Sequence, residues 1–209
     1  LAQDGSVAAY QRFRQVSETL CANARWLPGN HDRLAQMREA TVQTRLLDPV
    51  VDIGNWRIIL LNSQVPGATP GYLEDEQLQL LAQAVSEAPQ RHHLVCLHHH
   101  PLPVGSKWIE PIGLRNAQAF WDVLDRFPQV RAVLWGHIHQ PFDRVHNGVR
   151  LLATPSTCVQ FTPGSTDFDV SGEAPGYRWL RLHPDGTLDT GVSRLDNFVF
   201  TPDYSANNY

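Results

Sequence analysis

Three cysteines in 209 residues, Cys21, Cys96 and Cys158, are an odd number and form no C-x-x-C pair. They speak against a disulfide framework and read as free thiols, buried or half-buried, in keeping with a reducing cytoplasm. No apolar run approaches the roughly 20 residues of a membrane-spanning helix. No charged-then-apolar signal segment opens the chain. Excess positive charge is lacking too: the net charge is −4, which argues against nucleic acid or an anionic membrane surface as the main partner. Internal repeats, low-complexity tracts and linkers are likewise missing, so residues 1–209 read as one domain. A hydrophobic content of 42% with six tryptophans is ample for its core.

The hydrophobic periodicity predicts helices over residues 6–21, with Ser6 as N-cap, and over 33–40, 74–87 and 116–127. The third carries Leu78, Leu81, Ala82 and Val85 on one face. Strands are expected over 25–28, 50–53, 56–61, 92–97 and 130–135. Beyond these the pattern becomes antiparallel. Asn147-Gly148 separates strands at 142–145 and 149–153, and Pro184-Asp185-Gly186 separates strands at 177–182 and 187–192. The fold class expected is α/β, an α+β layered arrangement: a mixed sheet with helices outside and a late β section completing a second sheet.

Three short clusters follow hydrophobic runs: Gly29-Asn30-His31-Asp32, His98-His99-His100-Pro101 and Gly136-His137-Ile138-His139. If those runs are neighbouring strands, the clusters gather at the carboxyl edge of one sheet, where open α/β sheets hold their active sites. Imidazoles converging with an asparagine carbonyl suit one or two divalent transition metals. In the first cluster Asn30 offers a neutral oxygen ligand and His31 a proton for a leaving oxygen; a polar turn capping the next helix is the plainer reading. In the second, strand alternation places His98 and His100 on one face and turns His99 away. At most one or two of the three can then reach a common metal, and His99 and His100 are also read as residues that orient ligands. In the third, the two-residue spacing aims His137 and His139 the same way in an extended segment. His92, His93, His146 and His183 flank strand starts and turns and read as surface residues.

These motifs resemble the calcineurin-like metallophosphoesterase superfamily, a β-sandwich flanked by helices. Trp26 to Asp32, Leu97 to Pro103, Gly136 to Gln140 and the stretch LLATPSTCVQF at 151–161 are similar to its class III bacterial 3′,5′-cyclic-AMP phosphodiesterases. The resemblance implies that Asn30, His98 and His137 bind one divalent ion and His139 a second, iron or manganese being the usual metals. His31 would be the catalytic residue, contacting the phosphate and assisting departure of the 3′ oxygen, with Asn30 and His139 also touching substrate. The implied reaction is in-line attack on phosphorus by a hydroxide bridging the metals, giving 5′-AMP. Other phosphodiesters (2′,3′-cyclic nucleotides or glycerophosphodiesters) and nucleotide binding without catalysis are the alternatives.

The family pattern opens with Asp-x-His and Gly-Asp motifs that would precede Leu1. The expectation is therefore that these N-terminal strands and three metal ligands lie outside the chain, and that the 209-residue polypeptide alone is inactive or nearly so. The loops at 105–113 and 162–176 are expected to set substrate preference. Trp108 and Phe161 read as packing residues, with base stacking as the other possibility, and residues 201–209 as a poorly ordered terminus.

Overall fold

The computed structural model describes residues 1–198; the tail at 201–209 lies outside the described residues. Six strands make the main sheet: β1 (Val50–Ile53), β2 (Trp56–Leu60), β3 (His92–Leu97), β4 (Val130–Trp135), β5 (Phe142–His146) and β6 (Val149–Ala153). Their order is β1-β2-β3-β4-β6-β5. The central pairs β2–β3, β3–β4 and β4–β6 are parallel, while β1–β2 and β5–β6 are antiparallel hairpins at the two edges. Parallel neighbours need long crossovers, and helices α3 (Asp75–Ser86) and α4 (Ala117–Leu124) lie in two of them.

Alternation along the central strands divides the residues between two layers. Ile59, Val95, Leu97, Val133 and Trp135 point to the α3–α4 side, where they join Leu81, Val85, Phe120 and Leu124 in the main core. Trp56, Leu94 and Ala132 point the other way, against Leu180, Leu182 and Leu188. Those last three belong to the hairpin of β9 (Gly176–Leu182) and β10 (Leu188–Arg194), the second sheet. Between the two come the short pair β7 (Gln160–Phe161) and β8 (Val170–Ser171), which the sequence pattern did not predict. Helices α1 (Val7–Leu20) and α2 (Leu34–Ala40) pack with Trp26 and Leu46 in a smaller cluster of their own. Ser6 caps α1 as expected, accepting from the Ala9 backbone N–H at 3.2 Å.

Four expectations are corrected. Residues 25–28 form no strand; their one ladder-like bond is Trp26 N–H to Leu46 O, and Trp26 instead packs sideways on Phe13. Helix α4 stops at Leu124, because two turns, at 125–126 and 128–129, lead into β4. His93 is fully buried, its Nε2 3.1 Å from Ala88 O, since β3 is an inner strand from its first turn. Cys21 and Cys158 are exposed; only Cys96, on β3, is shielded, and burial pushes its thiol up to about 12.

Candidate metal centre

Strands β3 and β4 run parallel in register, Leu97 opposite Trp135. Both end at one edge of the sheet, so the chain leaving each delivers its histidines to the same place. The backbone joins them directly: Gly136 N–H donates to His98 O at 3.2 Å. The loop carrying Asn30 reaches this edge from the α1–α2 side, and His98 Nε2 lies 2.9 Å from Asn30 Oδ1. His98 is 5.0 Å from His137, ring centre to ring centre.

The third cluster is not extended. His137 and His139 both have left-handed backbone, φ 63° and 49°, around the buried Ile138. Such conformations are costly for non-glycine residues, and clusters of them mark sites where the surroundings enforce geometry. The turn, rather than strand alternation, brings both imidazoles to the sheet edge. His139 lies flat on Phe161, 4.4 Å away and 7° from parallel.

The second cluster also departs from alternation, because β3 ends at Leu97 and residues 98–100 bend. His99 does not turn away: a ring nitrogen of His98, His99 and His137 each falls within 4.8 Å of the others. Both His99 nitrogens are nevertheless engaged, Nδ1 with the Ser63 hydroxyl at 2.8 Å and Nε2 with Thr69 O at 3.0 Å. His100 stacks on His137 at 5.7 Å and 17°. His99 and His100 thus pack against the candidate ligands His98 and His137, by a geometry that strand alternation does not give.

The donors suit a cation. A carbonyl can only accept, so the bond to Ile112 O at 3.0 Å puts the proton of His137 on Nε2. That leaves Nδ1 a lone pair, buried and without a hydrogen-bond partner among the described residues. A buried polar atom left so is costly unless something binds it. Burial, reinforced by neighbouring histidines, holds His98 and His137 far below the ordinary histidine range. His139 is lowered to about 4, again chiefly by burial. Neutral imidazole is the form that ligates metal.

His31 completes the group, close enough for its charge to influence both His98 and His139. Burial lowers its own pKa and Asp32 opposes that shift. Asp32 is buried and stitches the loop together, accepting from the Gly29 N–H at 2.8 Å, the Ala2 N–H at 3.1 Å and the Tyr10 hydroxyl at 3.0 Å. Gln64, which the sequence reading missed, bonds the carbonyls of Gly29 and Asp32 through Nε2. No local pattern flagged it, since its role comes from the meeting of two distant loops. Behind the cluster, a cavity of about 430 Å³ runs along the sheet face between Trp26, Cys96, Leu134 and Trp135.

So Asn30, His31, His98, His137 and His139 are assembled from three segments about 40 to 110 residues apart in sequence, as the clusters suggested. Residues 2–141 match the family of calcineurin-like phosphoesterases. The chain is 57% identical over 209 residues to the 3′,5′-cyclic adenosine monophosphate phosphodiesterase CpdA of Pseudomonas aeruginosa, covering 100% of itself and 77% of that protein. It is 49% identical over 212 residues to the enzyme of the same name from Escherichia coli, with the same coverage. A 3′,5′-cyclic-nucleotide phosphodiesterase of Nostoc is 40% identical over 196 residues, 93% of this chain and 74% of that one. Among solved structures, a dimetal phosphatase from Danio rerio shares the fold, with a TM-score of 0.55, 17% identity and coverage of 83% and 74%. The chain belongs to the calcineurin-like phosphoesterases, metal-dependent hydrolases built on a sheet flanked by helices.

Proposed function

We propose that this chain carries the hydrolysis of 3′,5′-cyclic AMP to 5′-AMP, with Asn30, His98 and His137 holding one divalent ion and His139 contributing to a second. The single observation that carries the reading is the buried, unsatisfied Nδ1 of His137 beside the His98–Asn30 pair. It offers nitrogen and oxygen donors without positive charge at neutral pH. Iron or manganese fits this mixed imidazole and amide set. When bound, such ions supply the Lewis acidity toward phosphoryl oxygens that phosphodiester cleavage requires.

The chain's own residues do the rest. His31 sits beside the candidate ligands, where its ring N–H hydrogen-bonds the phosphate and stabilises the charge developing as the 3′ oxygen departs. Asn30 and His139 contact the same phosphate. Asp32 and Gln64 fix the loop that presents Asn30 and His31, so the donors need no rearrangement when charge develops. The choice of cyclic AMP is supported by the names of the relatives matched along the whole chain. A net charge of −4 weighs against nucleic acid as substrate, and the free thiols suit a reducing cytoplasm.

The test is formation of 5′-AMP from cyclic AMP with Mn²⁺, using the 209-residue chain and a version extended upstream by Asp-x-His and Gly-Asp motifs. Turnover by the extended protein, lost in its His31→Ala variant, supports the assignment. Failure with cyclic AMP alongside turnover of a 2′,3′-cyclic nucleotide or a glycerophosphodiester would move the activity to another phosphodiester.

A further inference from the structure

The histidine turn needs something to hold it. His137 and His139 both stand in left-handed backbone, φ 63° and 49°, which a residue with a side chain keeps only where its surroundings over-determine it. Gln140, the next residue, is buried. Its Nε2 donates to Ser106 Oγ at 3.2 Å and to Thr162 O at 3.4 Å, which uses both amide hydrogens.

Ser106 gathers these links. It is fully buried, and its Oγ also accepts from the Gly164 N–H at 2.9 Å. Its carbonyl accepts from the N–H groups of Ile109 and Glu110 at 3.1 Å and 3.3 Å. Those bonds open the turn that presents Ile112 O to His137 Nε2–H at 3.0 Å. One serine therefore reaches both histidines, His137 through residues 109–112 and His139 through Gln140. From the other side, Phe161 N–H donates to His139 O at 3.4 Å, one residue before Thr162, and Lys107 N–H donates to Ser165 O at 2.9 Å. The loops at 105–113 and 162–176 thus close on the histidine turn, and Gln140 joins both of them to it. Packing alone does not call for an amide here. Methionine, of similar length, would fill the space with no amide to desolvate.

We propose that Gln140 is a positioning residue of the metal centre. By tying the turn to Ser106 and Thr162 it fixes how the His137 and His139 imidazoles stand, and so the affinity for the divalent ion. This rests on the reading of the site as a metal centre, and Gln140 acts through the two histidines rather than on the ion.

The experiment is Mn²⁺ titration of the 209-residue chain in wild type, Gln140→Met, Ser106→Ala and the double variant. The urea midpoint is measured without metal, and the visible spectrum with Co²⁺ bound. In Gln140→Met, Ser106 Oγ keeps the Gly164 N–H and Thr162 O keeps the Ser165 hydroxyl at 2.9 Å. Neither acceptor is left without a donor, so the variant stays folded. The expected result is a loss on the order of tenfold in Mn²⁺ affinity, with a midpoint close to wild type. The Co²⁺ spectrum should change, because it follows ligand geometry. Ser106→Ala should lose at least as much affinity, and the double variant no more than Ser106→Ala, since both changes break one link. Wild-type Mn²⁺ affinity in Gln140→Met overturns the positioning role and leaves the metal centre standing. So does an affinity loss that comes with a lowered midpoint and a wild-type Co²⁺ spectrum, as a merely structural side chain would give. Losses that add in the double variant overturn it too. A wild type that binds neither Mn²⁺ nor Co²⁺ overturns the metal centre and this role together.

Discussion

The Tyr10 hydroxyl joins helix α1 to the loop of the metal centre: it donates to Asp32 Oδ1 at 3.0 Å and accepts from the Arg33 backbone N–H at 2.8 Å. Burial pushes the Tyr10 hydroxyl up to about 12, so it remains a donor across the working pH range. Asp32 in turn grips the Gly29 N–H, one residue before Asn30. A helix outside the main core therefore sets where a candidate ligand stands. Tyr10→Phe removes a bond to a buried carboxylate, worth about 2 kcal/mol. Urea unfolding should register that loss, and the same variant should bind Mn²⁺ more weakly as Asn30 loosens. An unchanged unfolding midpoint would remove Tyr10 from this role.

His98 and His99 are adjacent but play different parts. Metal that binds the folded chain stabilises it by mass action, about 2.7 kcal/mol at a hundredfold excess over Kd. His98→Ala should abolish the Mn²⁺-dependent rise in melting temperature. Ser63→Ala leaves every candidate ligand in place but frees the His99 ring that it orients at 2.8 Å. Loss of such an outer partner typically weakens metal binding by about tenfold or somewhat more. A Mn²⁺ titration followed by melting temperature separates the two: no response in the first variant, a shifted response in the second.

His93 makes the metal-free protein sensitive to acid. Buried on β3, its imidazole is held below the ordinary histidine range of 6.5, burial being the main cause. The unfolded chain therefore binds its proton at higher pH than the folded chain does. Stability from this group is present above pH 6.5 and drains away as pH falls below it, until the folded form also protonates. One such group contributes a slope of at most about 1.4 kcal/mol per pH unit. With chelator present, urea unfolding at pH 7.5, 6.5 and 5.5 should show the gap between wild type and His93→Gln narrowing toward acid. A constant gap would mean that His93 titrates alike in both states.

The sequence displayed the parts of this site better than their geometry. Asn147-Gly148 and the runs at 92–97 and 130–135 announced their hairpin and inner strands, because turn chemistry and apolar runs are local signals. The second and third clusters were legible because histidines are expensive at strand ends without a purpose, while the first follows residues 25–28, which form no strand. What failed was anything that long-range packing decides. Strand alternation misplaced His99, since a bend after Leu97 overrides it. The spacing of His137 and His139 suggested extended backbone where two left-handed residues stand. His93 reads as a surface residue because it stands at the polar start of its run, and the Ala88 carbonyl that meets its ring comes from just past the end of α3.

Gly29 and Gly54 offer opposite tests of what a missing side chain contributes. A Cβ at Gly29 would stand 2.7 Å from His98 Cε1 and 2.9 Å from both ring nitrogens. There the glycine is required by close approach, and a methyl group must push His98 away from Asn30. At Gly54, in the β1–β2 turn, a Cβ meets nothing within 4 Å, but φ is +55°. Alanine there costs about 1–2 kcal/mol of backbone strain while touching no part of the site. Gly54→Ala should therefore melt earlier than wild type yet keep its full Mn²⁺ response. Gly29→Ala should lose most of that response, as His98→Ala does, because the ligand is displaced rather than deleted. Equal Mn²⁺ responses in the two glycine variants would show that His98 can move without cost, and would take away the rigid donor geometry on which the metal centre depends.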